Sequence, residues 1–404
     1  MRHLYKVFNE QDRSIFDKHY NKRMQFDAAI KFNLHIKPVD QPETYQLYYI
    51  PTNKMIMQVS LVQKLSRSLN DTYEKLPDVA RDQFLLECLI EELYNTNELE
   101  GVRSTKEEIA RSTRDVQSNK KNNSRFYSMA SLYLSLVKGE TSLPEVPKDI
   151  RTIYDDITKG EIEEEELPDG DMFRADTTFV YKKSGSGKVI HRGVTPESRV
   201  IQEIDNILKF MNVEEIPMII KAAVGHFFFG YIHPFYDGNG RTSRFISSMY
   251  MSSELGHISA MSLSRGCNKY TKKYLEAFEN TNSIKNRGEM NHFIEVFMEI
   301  IIGALKEMNA ELKEKDELLT IARIKISNEE KLKNEKNKDL MFVIAQNYFF
   351  DTGDGITVRE LAGATNLSDP TVRKLLSNLM KLGLIIKKGT RPAFYTIQPA
   401  YFEL

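Results

Sequence analysis

Only two cysteines, Cys88 and Cys267, occur in a chain of 404 residues. A pair so small and so widely spaced excludes a disulfide framework and a cysteine-built metal knuckle. It favours a reducing compartment and leaves both thiols as small core residues. Long apolar runs are missing as well. The most apolar stretch, Ile216 to Tyr231, is short and carries Lys221 and His226, and the residues after Met1 are charged rather than apolar. The expectation is a cytoplasmic chain with no membrane span. Charge of one sign does not dominate either: 56 Lys and Arg stand against 57 Asp and Glu, for a net charge of −1. The whole molecule therefore has no pull toward nucleic acid or anionic lipid, and any such preference must be local. What remains is a globular composition, 41% hydrophobic and 28% charged, without repeats or low-complexity tracts and long enough for two or three domains.

Residues 1–55 mix aromatic and charged residues with Pro38, Pro42 and Pro51, the pattern of an irregular or short-element extension. From Met55 to about Val137 the apolar spacing is helical, as in Phe84, Leu85, Cys88, Leu89 and Leu93, where positions three and four apart share a face. Gly101 ends one helix of this run, and Ser104-Thr105-Lys106-Glu107-Glu108 has the form of a capping box opening the next. The acidic run Glu161 to Glu166, followed by Pro168, Asp169 and Gly170, reads as an exposed loop. After it, Thr177 to Tyr181 and Lys188 to His191 flank Ser184-Gly185-Ser186-Gly187, which predicts a β-hairpin inside a helical domain. Helical periodicity resumes near Pro196 and lasts to about Met308.

These signals divide the chain into an extension (1–55), a helical domain (56–312), a charged linker or helix dense in Lys and Glu (313–337), and a small terminal domain (338–404). In the last, helical segments at Leu340–Tyr348, Thr357–Ala364 and Ser368–Leu382 precede strand-like Leu384–Ile386 and Ala393–Ile397. That order predicts a winged helix. The expected class is mainly α: a helical domain carrying one β-hairpin, plus the winged helix.

The chemistry is concentrated in His233-Pro234-Phe235-Tyr236-Asp237-Gly238-Asn239-Gly240-Arg241-Thr242-Ser243-Arg244. Gly238 and Gly240 leave backbone N–H groups uncovered, and a helix starting here aims its free N–H groups and positive dipole end at the same spot, which favours phosphate oxygens. Arg241 and Arg244, three apart, share a face of that helix and can fork onto phosphate as lysines could not. Asp237 supplies a hard oxygen beside the cradle, the usual protein ligand of magnesium bound to phosphates. His233 is the one group whose unperturbed pKa lies near neutrality, and it can take a proton from an attacking hydroxyl. Each piece alone is more often a turn, a solvated face or a structural histidine; together they describe group transfer at a phosphate.

The segment matches H-P-F-x-[D/E]-G-N-G-R-x-x-R at all nine specified positions, and on these residues the chain resembles the Fic family over about residues 60–310. The resemblance implies a mostly helical fold in which the 177–191 hairpin is a flap holding a target chain. It implies transfer of AMP from ATP, with magnesium, to a Tyr, Thr or Ser hydroxyl of a target protein, self-modification included. It makes His233 the general base, Asp237 the magnesium ligand, and Gly238, Asn239, Gly240 and Arg241 the cradle of the α- and β-phosphates. Arg244 then takes the γ-phosphate, and Phe235 is a buried anchor. Tyr274 to Asn282 resembles the family's nucleoside-side helix. Tyr274 and Asn282 fit it, while Leu275 stands where a second tyrosine is usual, so a nucleotide other than ATP stays open.

Upstream, Thr96-Asn97-Glu98-Leu99-Glu100-Gly101 fits [S/T]-x-x-x-E-[G/N], which resembles the family's inhibitory motif at the end of a helix spanning about 79–101. The implied role of Glu100 is to pair with Arg244 and put negative charge where the γ-phosphate belongs. The same carboxylate could orient a water for removal of AMP from modified proteins, which leaves the dominant direction open, as does a third reading in which the domain senses nucleotide. In the winged helix, Thr371, Arg373, Lys374, Lys387, Lys388 and Arg391 would face a DNA duplex. Eight Lys or Arg against six Asp or Glu in 338–404 is a modest excess, so docking of protein targets or homodimer formation weighs equally with DNA binding.

Overall fold

A computed structural model describes residues 1–118, 120, 124–181, 187, 189–351, 353 and 355–402. In chain order the elements are α1 (Leu4–Glu10), α2 (Arg13–Met24), β1 (Ile30–Ile36), β2 (Tyr45–Tyr49), α3 (Asn53–Glu74), α4 (Asp78–Glu100), α5 (Lys106–Gln117), α6 (Tyr127–Val137) and α7 (Pro147–Thr158). Next come β3 (Phe179–Tyr181), β4 (Val189–Arg192), α8 (Glu197–Met211), α9 (Met218–Ile232), α10 (Asn239–Leu255), α11 (His257–Ala260), α12 (Leu263–Lys269), α13 (Thr271–Thr281) and α14 (Asn291–Ser327). The chain closes with α15 (Glu335–Phe350), β5 (Ile356–Thr357), α16 (Val358–Thr365), α17 (Asp369–Lys381), β6 (Ile385–Lys388) and β7 (Phe394–Ile397).

The chain forms two compact units, Met1–Arg67 with Leu89–Leu305, and Ser68–Cys88 with Lys306–Leu404. A division read along the sequence at 56, 313 and 338 differs from this grouping because long helices carry the chain through those points. The Lys- and Glu-rich segment that begins at 313 is, up to Ser327, the continuation of α14.

In the first unit α9 is apolar on every side, and all but two of its residues are buried, as expected of a helix enclosed by others. It packs against α8 and α10. The extension is more regular than its prolines suggest. In β1 the side chains alternate, with Phe32, Leu34 and Ile36 buried, and the strand pairs antiparallel with β2, Ile30 opposite Tyr49. Thr105 and Glu108 close the capping box predicted for α5, and Gly101, at φ +76°, stops α4 in the left-handed conformation that suits glycine. Strands β3 and β4 form the antiparallel hairpin; the expected turn residues Ser184 to Ser186 and Lys188 lie outside the described residues.

In the second unit, Leu340, Met341 and Ile344 of α15 share a core with Leu361 of α16, Leu376 and Leu379 of α17 and Ile397 of β7. The strands run in the order β5-β7-β6, all antiparallel. Three helices and a hairpin in this order make the winged helix.

Candidate active site

The segment from His233 to Arg244 joins the end of α9 to the first turns of α10. His233 is the C-cap of α9 with φ +51°, a left-handed turn that swings the chain away from the helix axis. Phe235 is fully buried and stacks on Tyr154 with ring centroids 3.6 Å apart. Asn239 fastens the loop to itself: its Oδ1 accepts from the Phe235 N–H at 3.0 Å and its Nδ2 donates to the Phe235 carbonyl at 2.8 Å. The side-chain amide of Asn239 is thus engaged inside the loop, and what it has left for a phosphate is its backbone N–H in the first turn of α10. Gly238, at φ +77°, has no room for a side chain, since a Cβ there would lie 2.7 Å from Thr158 Cγ2.

His233 faces a cleft of about 430 Å³, which Glu100, Asp237, Gly240, Arg244 and the flap also line. Its Nδ1 lies 3.3 Å from the Gly230 carbonyl, an acceptor only, so Nδ1 carries the proton and Nε2 keeps its lone pair. Burial pushes the imidazole pKa down to about 4, which keeps the ring neutral near pH 7 and able to accept a proton. Its carbonyl is held by Arg174, a fully buried guanidinium that donates from Nε at 2.7 Å and from Nη2 to the Val194 carbonyl at 2.7 Å.

The two arginines of α10 are both buried and differ in company. Arg244 donates from Nε to Thr96 Oγ1 at 2.8 Å, from Nη2 to the Thr96 carbonyl at 3.1 Å, and from Nη2 to Glu100 Oε1 at 2.8 Å. Burial alone would lower its pKa, but the Glu100 carboxylate reverses that and holds the charge. The three guanidinium nitrogens of Arg241 have no hydrogen-bond partner among the described residues; the nearest ion-pair contact is Asp237 Oδ2 at 3.6 Å from Nη2. A buried cation left so is costly unless an anion completes it.

Glu100 also touches the start of α10. A Cβ added at Gly240 would fall 2.0 Å from its Oε1. The carboxylate therefore lies against the bare backbone of the first turn, where the helix dipole and uncovered N–H groups favour an anion. Two turns earlier on α4, Glu92 is fully buried, its pKa pushed up to about 7 by burial against the opposing hydrogen bonds from Ser264.

At the other end of the cleft, Tyr274 is buried, with its hydroxyl 2.6 Å from His226 Nε2, while His226 Nδ1 lies 3.0 Å from the hydroxyls of Ser243 and Ser247. Asn282, the C-cap of α13, donates from Nδ2 to His191 Nδ1 of the flap at 2.8 Å. Every residue expected at the site lines this cleft except Arg241, which is tied to it through Asp237. Arg174, His191 and His226 were not expected there. The partners that tie them to the site lie as far as 91 residues away, and no local pattern announces them.

Asp237 carries the one carboxylate of the motif, is partly exposed, and lines the cleft. Among the described residues no group of three or more His, Cys, Asp or Glu is placed to hold a metal ion. The donor set thus fits magnesium that arrives with phosphate oxygens as its other ligands, and does not fit a cage built by the protein alone. No helix among the described residues is long and apolar enough to cross a membrane.

Residues 144–251 match the model of the Fic/DOC family, and residues 352–386 match that of a winged helix-turn-helix DNA-binding domain. A solved structure of a Fic family protein from Desulfovibrio desulfuricans is similar over 88% of this chain and 99% of that one, with a TM-score of 0.53 and 17% identity. A Fic domain containing signaling protein from Bacteroides thetaiotaomicron covers 63% of this chain and 97% of its own, with a TM-score of 0.43 and 17% identity. Fic-1 (residues 134–508) from C. elegans covers 63% and 74%, with a TM-score of 0.42 and 20% identity. The chain carries a Fic domain followed by a winged helix-turn-helix.

Proposed function

We propose that this protein transfers the AMP part of ATP to a hydroxyl side chain of another protein, and that Glu100 restrains the reaction. The observation that carries the reading is the carboxylate of Glu100 lying against Gly240 and on Arg244: the start of α10 holds an internal anion where a substrate's phosphate would bind.

In this reading the phosphates lie along the first turn of α10, with Arg241 and, once Glu100 withdraws, Arg244 neutralising them. Magnesium, held through Asp237, would add positive charge on the phosphate oxygens. His233 Nε2 takes the proton of the incoming hydroxyl. The hydroxyl oxygen then forms its bond to the α-phosphorus in line as the bond to the β-phosphate oxygen breaks, and pyrophosphate leaves. The protein's work is positioning and charge neutralisation. The flap strand β3, with Phe179 and Tyr181 exposed, would hold the target chain by strand addition.

The test is Glu100→Gly with labelled ATP and magnesium in excess. Transfer, including self-modification, should rise about ten-fold or more, and any removal of AMP that depends on the carboxylate should vanish. Adding Arg244→Ala should cancel the gain. An unchanged or lower rate in the folded single variant would overturn the inhibitory role, and no labelling of any protein would overturn AMP transfer itself.

The match to a DNA-binding winged helix favours a second reading for the terminal unit, contact with a duplex through α17 and the β6–β7 wing. Lys387 and Lys388 are exposed on β6, and Arg391 is exposed in the wing. Binding to genomic fragments should weaken steeply with salt, and replacing these three by alanine should lower the slope of log K against log salt by about 2–3. Binding that ignores salt would point to protein docking instead.

A further inference from the structure

The base end of the cleft contains a hydrogen-bond relay whose direction is set by the protein alone. His191 is buried on β4, and its Nε2 lies 2.6 Å from the Tyr231 carbonyl at the end of α9. A carbonyl only accepts, so Nε2 carries the proton and Nδ1 is left as an acceptor. Nδ1 lies 2.8 Å from Asn282 Nδ2, which must therefore be the amino side of that amide. The reverse orientation would set the Asn282 oxygen against a lone pair. Burial, reinforced by the nearby His233, pushes the His191 pKa down to about 3, so the relay keeps its direction at neutral pH.

The consequence falls on the rest of the Asn282 side chain. Its Oδ1 is buried and has no hydrogen-bond partner among the described residues, and its second Nδ2 hydrogen is not needed by His191. Both His191 and Asn282 line the cleft. One acceptor beside one donor, held in a fixed order, is the pattern with which an asparagine amide reads the amino group and adjacent ring nitrogen of adenine.

We propose that His191 is a specificity-determining residue: by fixing the Asn282 amide it makes the base end of the cleft select a 6-aminopurine over a 6-oxopurine. This rests on the reading of the cleft as a nucleotide site. His191 acts through Asn282 and is a positioning residue, with no role assigned in the phosphate chemistry.

ATP and inosine triphosphate differ at that edge and carry the same triphosphate. Binding of each to the full-length Glu100→Gly protein, with magnesium, should be measured by calorimetry. ATP should bind about ten-fold or more tighter. In His191→Phe, which keeps an aromatic ring but loses the acceptor, the preference should shrink to within about three-fold while triphosphate binding persists. His191→Gln, whose amide oxygen can accept from Asn282, should restore part of it, and Asn282→Leu should erase it whatever stands at 191. Equal binding of the two nucleotides to the parent, or full discrimination in a folded His191→Phe or in Asn282→Leu, would overturn the proposal. If neither nucleotide bound the parent, the nucleotide reading itself would fall and this inference with it.

Discussion

On the proposed reading the cleft has a phosphate end and a base end, and the two are built in different ways. The phosphate end comes from one continuous stretch, His233 to Arg244, in which a turn, a helix start and two arginines follow one another. The base end is assembled from three separate elements, His191 on β4, Asn282 at the end of α13 and the Tyr231 carbonyl of α9, joined by hydrogen bonds. A contiguous site keeps its geometry as long as its own helix folds. An assembled one depends on every element that supplies a partner. Substitutions at the phosphate end should therefore change rate or affinity alike for every nucleotide, whereas those at the base end should change only the choice between nucleotides.

The largest effect should come from His233→Ala. Transfer of label should fall about 10²- to 10⁴-fold, while nucleotide affinity by calorimetry stays within a few-fold, because the imidazole acts on the hydroxyl. A variant that still labels targets at the parent rate would remove the general base from the argument. Next is Arg241→Met in the Glu100→Gly protein, which should weaken ATP and inosine triphosphate equally, by about ten-fold or more. Its melting temperature without nucleotide should hold or rise, since a buried cation whose nitrogens have no hydrogen-bond partner among the described residues is replaced by an apolar chain. Unequal losses for the two nucleotides would break the division between the ends.

Arg174→Met should lie between these cases and sharpen the contrast. Arg174 ties His233 to the loop that leads into the flap strand β3, donating to the carbonyls of His233, Asp176 and Val194. Its loss should lower kcat about ten-fold or more with a smaller change in KM, together with a lower melting temperature. A KM effect alone would place Arg174 in nucleotide binding.

The smallest effect concerns Glu92. Its pKa in the folded chain is about 7 against an ordinary value of 4.5, so the native state holds this proton more tightly than the unfolded chain does. Its contribution to stability is full below about pH 4.5 and is lost as the pH rises to about 7. Compared with Glu92→Gln, the parent should lose on the order of 2–3 kcal/mol across that window, seen as a shift in melting temperature between pH 5 and pH 7.5. Parallel profiles for the two proteins would mean that Glu92 is ionised throughout.

The same contrast explains what the sequence could and could not reveal. The residues read as the phosphate end are neighbours in the chain and so could be picked out together, and the family resemblance named Phe235 as a buried anchor, which its burial and stacking on Tyr154 bear out. The Glu100 contact with Arg244 spans 144 residues and could be anticipated only through the family pattern at Thr96–Gly101. Arg174 and His191 carry no such pattern. Each reads as an ordinary polar residue beside a predicted hairpin, and its role exists only once the carbonyls it meets have been brought together. In the fold, helices and the winged helix followed from periodicity and capping. Strand β1 was obscured by the prolines around it although Phe32, Leu34 and Ile36 alternate, and the length of α14 was hidden because Lys- and Glu-rich sequence serves a solvated helix and a linker equally well.

Gly240 is small enough to admit a carboxylate from α4, and in the proposed reading this makes the brake an internal ligand of the site. On that reading Glu100 is a ligand carried by the same folded unit as the site it would block, on the last turn of α4. A contact within one molecule does not vary with protein concentration, so such a restraint would be the same in a dilute assay and a crowded cell. In that reading a partner that draws the end of α4 away from Arg244 would release the restraint. Such a partner would tighten ATP binding and would itself be bound more tightly by the nucleotide-loaded protein, by the same factor.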